Sequence, residues 1–326
     1  MKVFKHINKK WERIAMLLLA PLFLTPMLSA CDDDDEIQKE SIIVADKDVS
    51  DTPFDKWLNT YVVEPYNLKI DWRWTYNDIR LGYYTVPASY ESAVILAHVL
   101  KHCCLEAYDE AAGISFTRHN FPKQIVFVGT WEYNNNGTKV LGTAEGGKKI
   151  WLAGVNHIKE NINLGAGQLN SQYLKTMHHE FTHILNQNSP YQVAFKELTK
   201  TTYVADSWSK DPYNVDYRKR GYITSYAQHS PGEDFAELYS VYVTSSAETW
   251  QSYMDEAVVT TVDENGIKTT DYTYQNILQK KIDMVRAYME KSWGIDMDVM
   301  REVLARRLND VVNGNVDLTD LTIVKD

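Results

Sequence analysis

The chain has 326 residues, of which 44% are hydrophobic and 24% charged, a balance typical of a globular protein with one large or two small domains. This composition excludes collagen-like, coiled-coil and wholly disordered chains. The formal net charge of −10 argues against nucleic acid as a partner, since binding to phosphate depends on Lys and Arg. No apolar run reaches the roughly 20 residues that a membrane-spanning helix needs.

Residues 1–30 predict a secretory signal peptide. Four lysines and one arginine precede an apolar run at 14–24, and small residues follow it. The sequence Leu-Ser-Ala-Cys at 28–31 resembles a bacterial lipobox, which implies that Cys31 is lipidated and begins the mature protein. The alternative is an ordinary signal peptide with a chance cysteine. The remaining cysteines, Cys103 and Cys104, are adjacent, so no disulfide framework is expected and a hydrophobic core must stabilise the fold.

Residues 31–51 predict an extended acidic tether. They contain nine acidic residues and two lysines, and such a run cannot bury a core. Acids directly after the lipidated cysteine resemble the surface-export signal of Gram-negative lipoproteins that import polysaccharides, whereas the enteric rule would make Asp32 an inner-membrane retention signal. We expect a surface-exposed lipoprotein of the outer membrane that meets the membrane only through its lipid, with an outer-membrane import complex as a partner. Residues 52–326 are expected to form a single domain.

The spacing of apolar residues after the tether predicts both helices and strands. Strands are predicted at 68–74, 124–128, 138–143 and 148–155, the last two forming a hairpin around Gly146-Gly147. Helices are predicted at 54–63, at 90–108, from about 170 to before Pro190, and at 235–243, 274–289 and 297–312. Residues 190–230 show little periodicity and indicate a long surface connection, and residues 263–266 indicate a hairpin turn.

The helix that ends before Pro190 carries the motif His-Glu-Phe-Thr-His at 179–183. At about 100° per residue, His179 and His183 share the side opposite the apolar stripe, so both can bind one Zn²⁺. Glu180 beside them can hold and deprotonate a water on that metal. The pattern alone is only suggestive in a chain with 9 histidines, and two surface histidines on an amphipathic helix are the alternative.

The third ligand is predicted to be a carboxylate. A metzincin needs Gly at position 186 and His at position 189, but this chain has Asn186 and Ser189. Glu233 and Glu237 lie four apart on one predicted helix, so the first can bind zinc while the second accepts the outer N–H of a ligating histidine. An acid favoured by the helix dipole is the alternative for Glu233, and Asp234 is a weaker candidate for the third ligand.

The motif at 179–183, followed by Ser225-Tyr226, Glu233 and the Phe-Ala-Glu of 235–237, is similar to gluzincin metalloproteases of the anthrax lethal factor type. With the lipobox and the Pro-Tyr-Asn of 65–67, the chain resembles the zinc-binding metallopeptidase lipoproteins, also described as substrate import-associated zinc metallohydrolase lipoproteins, from about residue 52 onwards. The resemblance implies one Zn²⁺ per chain and a role for each site residue: His179, His183 and Glu233 as ligands, Glu180 as the base, Glu237 behind a ligand, and Tyr226 stabilising the oxyanion. Thr182 replaces the glycine of lethal factor, a change that should not disturb the ligands.

Other candidate features are weaker. The strand at 148–155 precedes the metal helix, where zincins place the edge strand that pairs with substrate, although an ordinary sheet strand fits the pattern equally well. His229 lies in a loop from which it could reach the metal, whereas His178 points about 100° away from the motif histidines and is interpreted as a supporting or surface residue. His98 and His102 are four apart but lack an acidic neighbour, so packing is favoured for both.

These features predict a zincin-like α+β fold in which the metal helix divides a sheet lobe from a helical lobe. The predicted function is a zinc metallopeptidase acting on peptides or proteins, glycoproteins included. The rival is a nutrient-binding surface lipoprotein of a polysaccharide import system with a structural or vestigial zinc, for which 12% aromatic residues would suit carbohydrate stacking. Glu180 and Tyr226 argue against it, because a structural site needs neither a base nor an oxyanion donor. A non-peptide amide or ester metallohydrolase would use the same chemistry.

Overall fold

The computed structural model describes residues 51–74, 82–135, 137–145 and 148–324. The predicted signal peptide, Cys31, the tether up to residue 50 and the predicted turn at Gly146-Gly147 lie outside the described residues. Across the residues that are described, no helix is both long and apolar enough to cross a membrane.

The first described helix begins with a capping box. The Thr52 hydroxyl accepts a hydrogen bond from the backbone N–H of Asp55 at 3.2 Å, and the Asp55 carboxylate accepts one from the backbone N–H of Thr52 at 2.9 Å. Helix α1 (Pro53–Leu58) continues through a π-helical turn (Asn59–Val63) into α2 (Glu64–Tyr66). Three further helices follow in the N-terminal part: α3 (Tyr90–Leu100), α4 (Glu106–Ala112) and α5 (Ile114–Asn120). A π-helical turn (Lys101–Leu105) joins α3 to α4.

A four-stranded mixed sheet has the strand order β1–β2–β6–β5. Its strands are β1 (Lys69–Asp71), β2 (Gln124–Phe127), β5 (Gly142–Glu145) and β6 (Lys149–Leu152), and a separate two-stranded ribbon consists of β3 (Glu132–Tyr133) and β4 (Lys139–Val140). β1, β2 and β6 are parallel, while β5 runs antiparallel to β6 with Gly142 opposite Leu152. The inner strands β2 and β6 are largely apolar and buried, as expected for parallel strands covered on both faces.

The sheet corrects three predictions made from the sequence. The strand at 148–155 is not an edge strand: β6 pairs on both sides, and in the described part of the sheet the edge next to it is β5. The predicted partner at 138–143 is divided, because Lys139 and Val140 pair with β3 and only the following residues pair with β6. The strand predicted at 68–74 ends at Asp71; beyond it the Trp74 indole donates to the Phe127 carbonyl at 3.0 Å instead of extending the ladder.

Helix α8 (Lys175–Asn188) lies between the edge strand β5 and the C-terminal helices. The chain enters it through a short 3₁₀ turn (Val155–His157), α6 (Ile158–Asn163), α7 (Ala166–Leu169) and a π-helical turn (Asn170–Leu174). The apolar stripe of α8 is buried in the core at Met177, Phe181, Ile184 and Leu185, which leaves its opposite side for the motif histidines.

The C-terminal part is helical, and the α+β class predicted from the sequence is confirmed. The connection at 190–230 is largely irregular, with one short helix, α9 (Val193–Glu197), and 3₁₀ turns at Ala205–Ser209, Arg218–Arg220 and Tyr226–Gln228. The elements that follow are α10 (Pro231–Thr244), α11 (Ala247–Glu256), β7 (Val259–Val262), β8 (Lys268–Asp271), α12 (Thr273–Trp293) and α13 (Met297–Val312). β7 and β8 form the predicted hairpin, with Gly266 at φ +79° in its turn.

Candidate metal centre

Two helices bring the predicted zinc ligands together. His179 and His183 lie one turn apart on α8, and Glu233 lies in the first turn of α10. The local sequence determines where α10 begins: the Ser230 hydroxyl accepts a hydrogen bond from the Glu233 N–H at 3.4 Å, and Pro231 occupies the first helical position. This cap places the Glu233 carboxylate opposite the two imidazoles.

The donor atoms of the three side chains converge on one point. Glu233 Oε2 lies 2.9 Å from His179 Nε2 and 3.1 Å from His183 Nε2, and the two nitrogens are 3.1 Å apart. Donors at about 2.1 Å from a tetrahedral ion lie about 3.4 Å from one another, so this set fits Zn²⁺ after a small outward adjustment. In the described part of the chain, no other group of three His, Cys, Asp or Glu side chains converges in this way. Three protein ligands are typical of a catalytic zinc site.

Glu237 lies behind His179, on the side away from the other ligands. Its Oε1 is 2.9 Å from His179 Nδ1, while its Oε2 accepts hydrogen bonds from Lys175 Nζ at 2.8 Å and from the Thr224 hydroxyl at 2.6 Å. The carboxylate is only 3% exposed. A proton on Nδ1 facing Glu237 leaves the lone pair of Nε2 directed at the ligand cluster, which is the tautomer that metal binding requires. The sequence predicts no role for Lys175 or Thr224, although Lys175 precedes His179 by one helical turn.

The charge of this cluster favours a cation. Burial by itself would raise the pKa of both carboxyls. Hydrogen bonds with His179 and His183 hold the pKa of Glu233 well below its usual range, and the charge of Lys175 together with His179 does the same for Glu237. Burial opposes the charged form of His179, yet the two carboxylates outweigh it and raise the pKa of this imidazole to about 10. The negative charge that favours a proton on His179 also favours a divalent metal ion at the same place.

Glu180 and Tyr226 line a cleft of about 350 Å³ beside the ligands. The Tyr226 ring lies 5.9 Å from the His179 ring and packs edge-on against Trp208 at 5.0 Å. Burial and then the charges of Glu233 and Glu180 raise the pKa of the Tyr226 phenol. The phenol therefore stays protonated and able to donate a hydrogen bond across the neutral range.

The edge strand β5 forms one wall of the cleft through Gly142 and Thr143. Gly142 is needed for the close approach of β5 to α8: a Cβ at this position would lie 2.6 Å from Thr176 Cγ2 and 2.8 Å from the Trp151 carbonyl oxygen. The wall next to the ligands is thus the edge of a strand. The sequence does not predict that β5 takes this position, because the order of strands in a sheet depends on residues far apart in the chain.

The weaker candidates for the metal lie outside the cluster. Asp234 follows Glu233 but forms an ion pair with Lys281 at 2.6 Å. His229 Nε2 lies 3.4 Å from Asp206 and is not among the converging ligands. Both side chains are therefore accounted for without a metal.

His178 is buried and not at the surface, whereas the packing roles favoured from the sequence for His98 and His102 agree with their contacts. His178 is buried, with Nδ1 at 3.0 Å from the Tyr108 hydroxyl, and burial lowers its pKa to about 3. His98 stacks on Trp57 at 4.0 Å, and His102 lies 3.2 Å from the Glu106 carboxylate.

Comparisons with known proteins relate the chain to one family. The model of a family described as "putative zinc-binding metallo-peptidase" matches residues 47–298. A crystal structure from Bacteroides caccae, described as a "putative zinc-binding metallo-peptidase", is 34% identical, covers 83% of this chain and 96% of that chain, and superposes with a TM-score of 0.65. A comparison with curated proteins finds no match. The chain therefore belongs to the family described as "putative zinc-binding metallo-peptidase".

Proposed function

We propose that this chain is a gluzincin-type zinc metallopeptidase that hydrolyses peptide bonds with a water activated by Glu180. The observation that carries the proposal is the convergence of His179 Nε2, His183 Nε2 and Glu233 Oε2 within 3.1 Å of one another. The same cleft holds a carboxylate, Glu180, and a protonated phenol, Tyr226, which a purely structural zinc site would not need.

Each side chain has a separate task in this mechanism. Zinc held by the three ligands would supply a water of lowered pKa and polarise the scissile carbonyl. Glu180 accepts the proton of the attacking water and delivers it to the leaving amine. Tyr226 donates a hydrogen bond to the oxygen on which negative charge develops. Glu237 holds His179 in its ligating orientation throughout.

The proposed substrates are extended segments of peptides or proteins, glycoproteins included. In the described sheet, β5 pairs with β6 on one side, and its residues Gly142 and Thr143 line the cleft. A peptide that adds to this edge as a further strand would place its backbone alongside the ligands, since main-chain hydrogen bonds favour such addition.

We also propose that the protein is anchored through a lipidated Cys31 on the outer face of the outer membrane, next to an import complex. The support is the lipobox-like sequence at 28–31 and the acidic residues that follow it. Incorporation of labelled palmitate that is lost in Cys31→Ala, together with degradation by protease added to intact cells, would support this location. A protein that is labelled but protected in intact cells would contradict surface exposure.

The experiment that tests the function is cleavage of a broad peptide library by the purified zinc-loaded protein, with Glu180→Gln as the control. Cuts made by the native protein and absent with the variant would support a peptidase and supply its subsite preferences. If the native protein binds one zinc per chain and makes no cuts, a binding lipoprotein or a non-peptide metallohydrolase becomes the better proposal.

A further inference from the structure

A fully buried ion pair lies directly behind the metal centre. Lys281 of α12 donates from Nζ to Asp234 Oδ2 at 2.6 Å, and both side chains are 0% exposed. Asp234 is the residue after the ligand Glu233 on α10. The two carboxylates diverge, because Glu233 faces the histidines of α8 while Asp234 faces α12.

The same pair also holds the connection that carries Tyr226. Lys281 Nζ donates to the Gly221 carbonyl at 2.8 Å and lies 4.2 Å from the Tyr222 ring centroid. From the other side, the Tyr203 hydroxyl donates to Asp234 Oδ2 at 2.9 Å. Tyr203 and Gly221 of the connection at 190–230 are therefore joined to α10 and α12 through one ammonium and one carboxylate, and Tyr226 follows Gly221 by five residues.

Gly221 permits the close approach that this arrangement requires. Its φ of +82° lies in the left-handed region, and a Cβ there would lie 2.9 Å from the Ile277 side chain of α12. A side chain there would have to displace either Ile277 or the backbone that carries the Gly221 carbonyl.

Stability alone is a weak explanation for this pair. Burying two charges requires desolvating both, and apolar replacements of similar volume are often as stable as the pair. Asp234 Oδ1 is buried without a hydrogen-bond partner, so the carboxylate is not fully satisfied even with Lys281 and Tyr203 beside it. A directional role explains these contacts better, because charged hydrogen bonds define geometry in a way that apolar packing does not.

We propose that Lys281 and Asp234 are positioning residues that hold the ligand Glu233 and the segment carrying Tyr226 in register with each other. Neither side chain touches the metal ligands' donor atoms or the cleft, so both act through the backbone of α10 and of the connection. The part of this inference that concerns Tyr226 rests on the proposed function. The part that concerns Glu233 predicts an effect on zinc binding alone.

The test replaces the whole pair rather than one partner, since a single substitution would leave an unpaired buried charge and destabilise the fold. We expect Lys281→Met/Asp234→Asn to fold, to bind zinc about tenfold more weakly than the native protein, and to lose about tenfold to a hundredfold in kcat with a smaller change in KM. Zinc affinity is measured by competition with a chromophoric chelator in the absence of substrate. The control is Lys101→Met/Glu106→Gln, which removes a partly exposed ion pair between the π-helical turn at Lys101–Leu105 and α4, and which should leave zinc affinity unchanged.

A folded Lys281→Met/Asp234→Asn variant with native zinc affinity and native kcat would overturn the proposal, as would an equal loss in the control. If the double variant does not fold, Tyr203→Phe decides the matter, because it removes only one hydroxyl from Asp234. A threefold or greater loss of zinc affinity in this variant would support positioning, and a smaller loss or none would refute it. Because zinc affinity needs no substrate, this result is independent of whether the native protein cuts peptides.

Discussion

Replacing Glu237 by Gln should weaken zinc binding while leaving every ligand in place. The amide keeps the shape of the carboxylate but loses the charge that faces His179 Nδ1 at 2.9 Å. The amide also opposes a donor whichever way it turns: its NH₂ meets the His179 Nδ1–H if its oxygen takes the place of Oε2, and meets Lys175 and Thr224 if its oxygen takes the place of Oε1. Loss of such an outer partner costs about 10- to 100-fold in metal affinity, or about 1.4–2.7 kcal/mol. Because a donor is opposed in either orientation, we expect Glu237→Gln in the upper half of that range.

The assay is competition with a chromophoric chelator, performed well below the unfolding temperature of each variant. Thr224→Val is the matched control: it removes one hydrogen bond from the same carboxylate and retains its charge, so we expect a smaller loss of about 0.5–1.5 kcal/mol. Zinc affinity of a folded Glu237→Gln protein within twofold of the native value would refute the orienting role of this carboxylate.

Three further predictions concern the cleft, the strand edge and acid stability. Tyr226→Phe should lower kcat by about 10²–10³ with little change in KM, since it removes one donor to the oxyanion; an equal rise in KM in steady-state assays would indicate a substrate-binding role instead. Gly142→Ala should lower stability by about 1–3 kcal/mol in urea unfolding, because the new methyl meets Thr176 and the Trp151 carbonyl; Gly167→Ala, where nothing lies within 4 Å, should not, and equal effects would contradict the packing argument. Burial opposes ionisation of Glu106, but His102, Lys101 and Arg307 lower its pKa from 4.5 to about 2, so its stabilising effect is present above about pH 4.5 and lost as the pH falls towards 2. Glu106→Gln should flatten this part of the stability profile by about 1–2 kcal/mol after allowance for solvent screening, and an unchanged slope would argue against the ion pair.

The sequence predicts local features of this protein well because they depend on neighbouring residues. The four-residue spacing of His179 and His183, with an apolar stripe on the opposite side, predicts the helix that carries them. Residues 263–266 predict the β7–β8 turn, where the structure has Gly266 at a positive φ. The sequence also predicts three zinc ligands, and the structure brings their donor atoms within 3.1 Å of one another.

Features that depend on distant partners were not predictable in the same way. β6 has the apolar run of a strand buried on both faces. Only its pairing with β2 on one side and β5 on the other shows that it is an inner strand and that β5 lies outside it. Lys175 and Thr224 meet on Glu237 from separate segments, and Lys281 reaches Asp234 across 47 residues. No periodicity in a single sequence encodes such contacts.

The most direct test of the account is the zinc content and peptide-cleavage rate of Glu180→Gln, measured on the same preparation beside the native protein and His183→Ala. The account predicts native zinc content in Glu180→Gln with cleavage reduced by at least about 10²-fold, and loss of both zinc and cleavage in His183→Ala. Native cleavage by Glu180→Gln, or loss of its zinc, would contradict the assignment of this carboxylate as the base beside a three-ligand metal site.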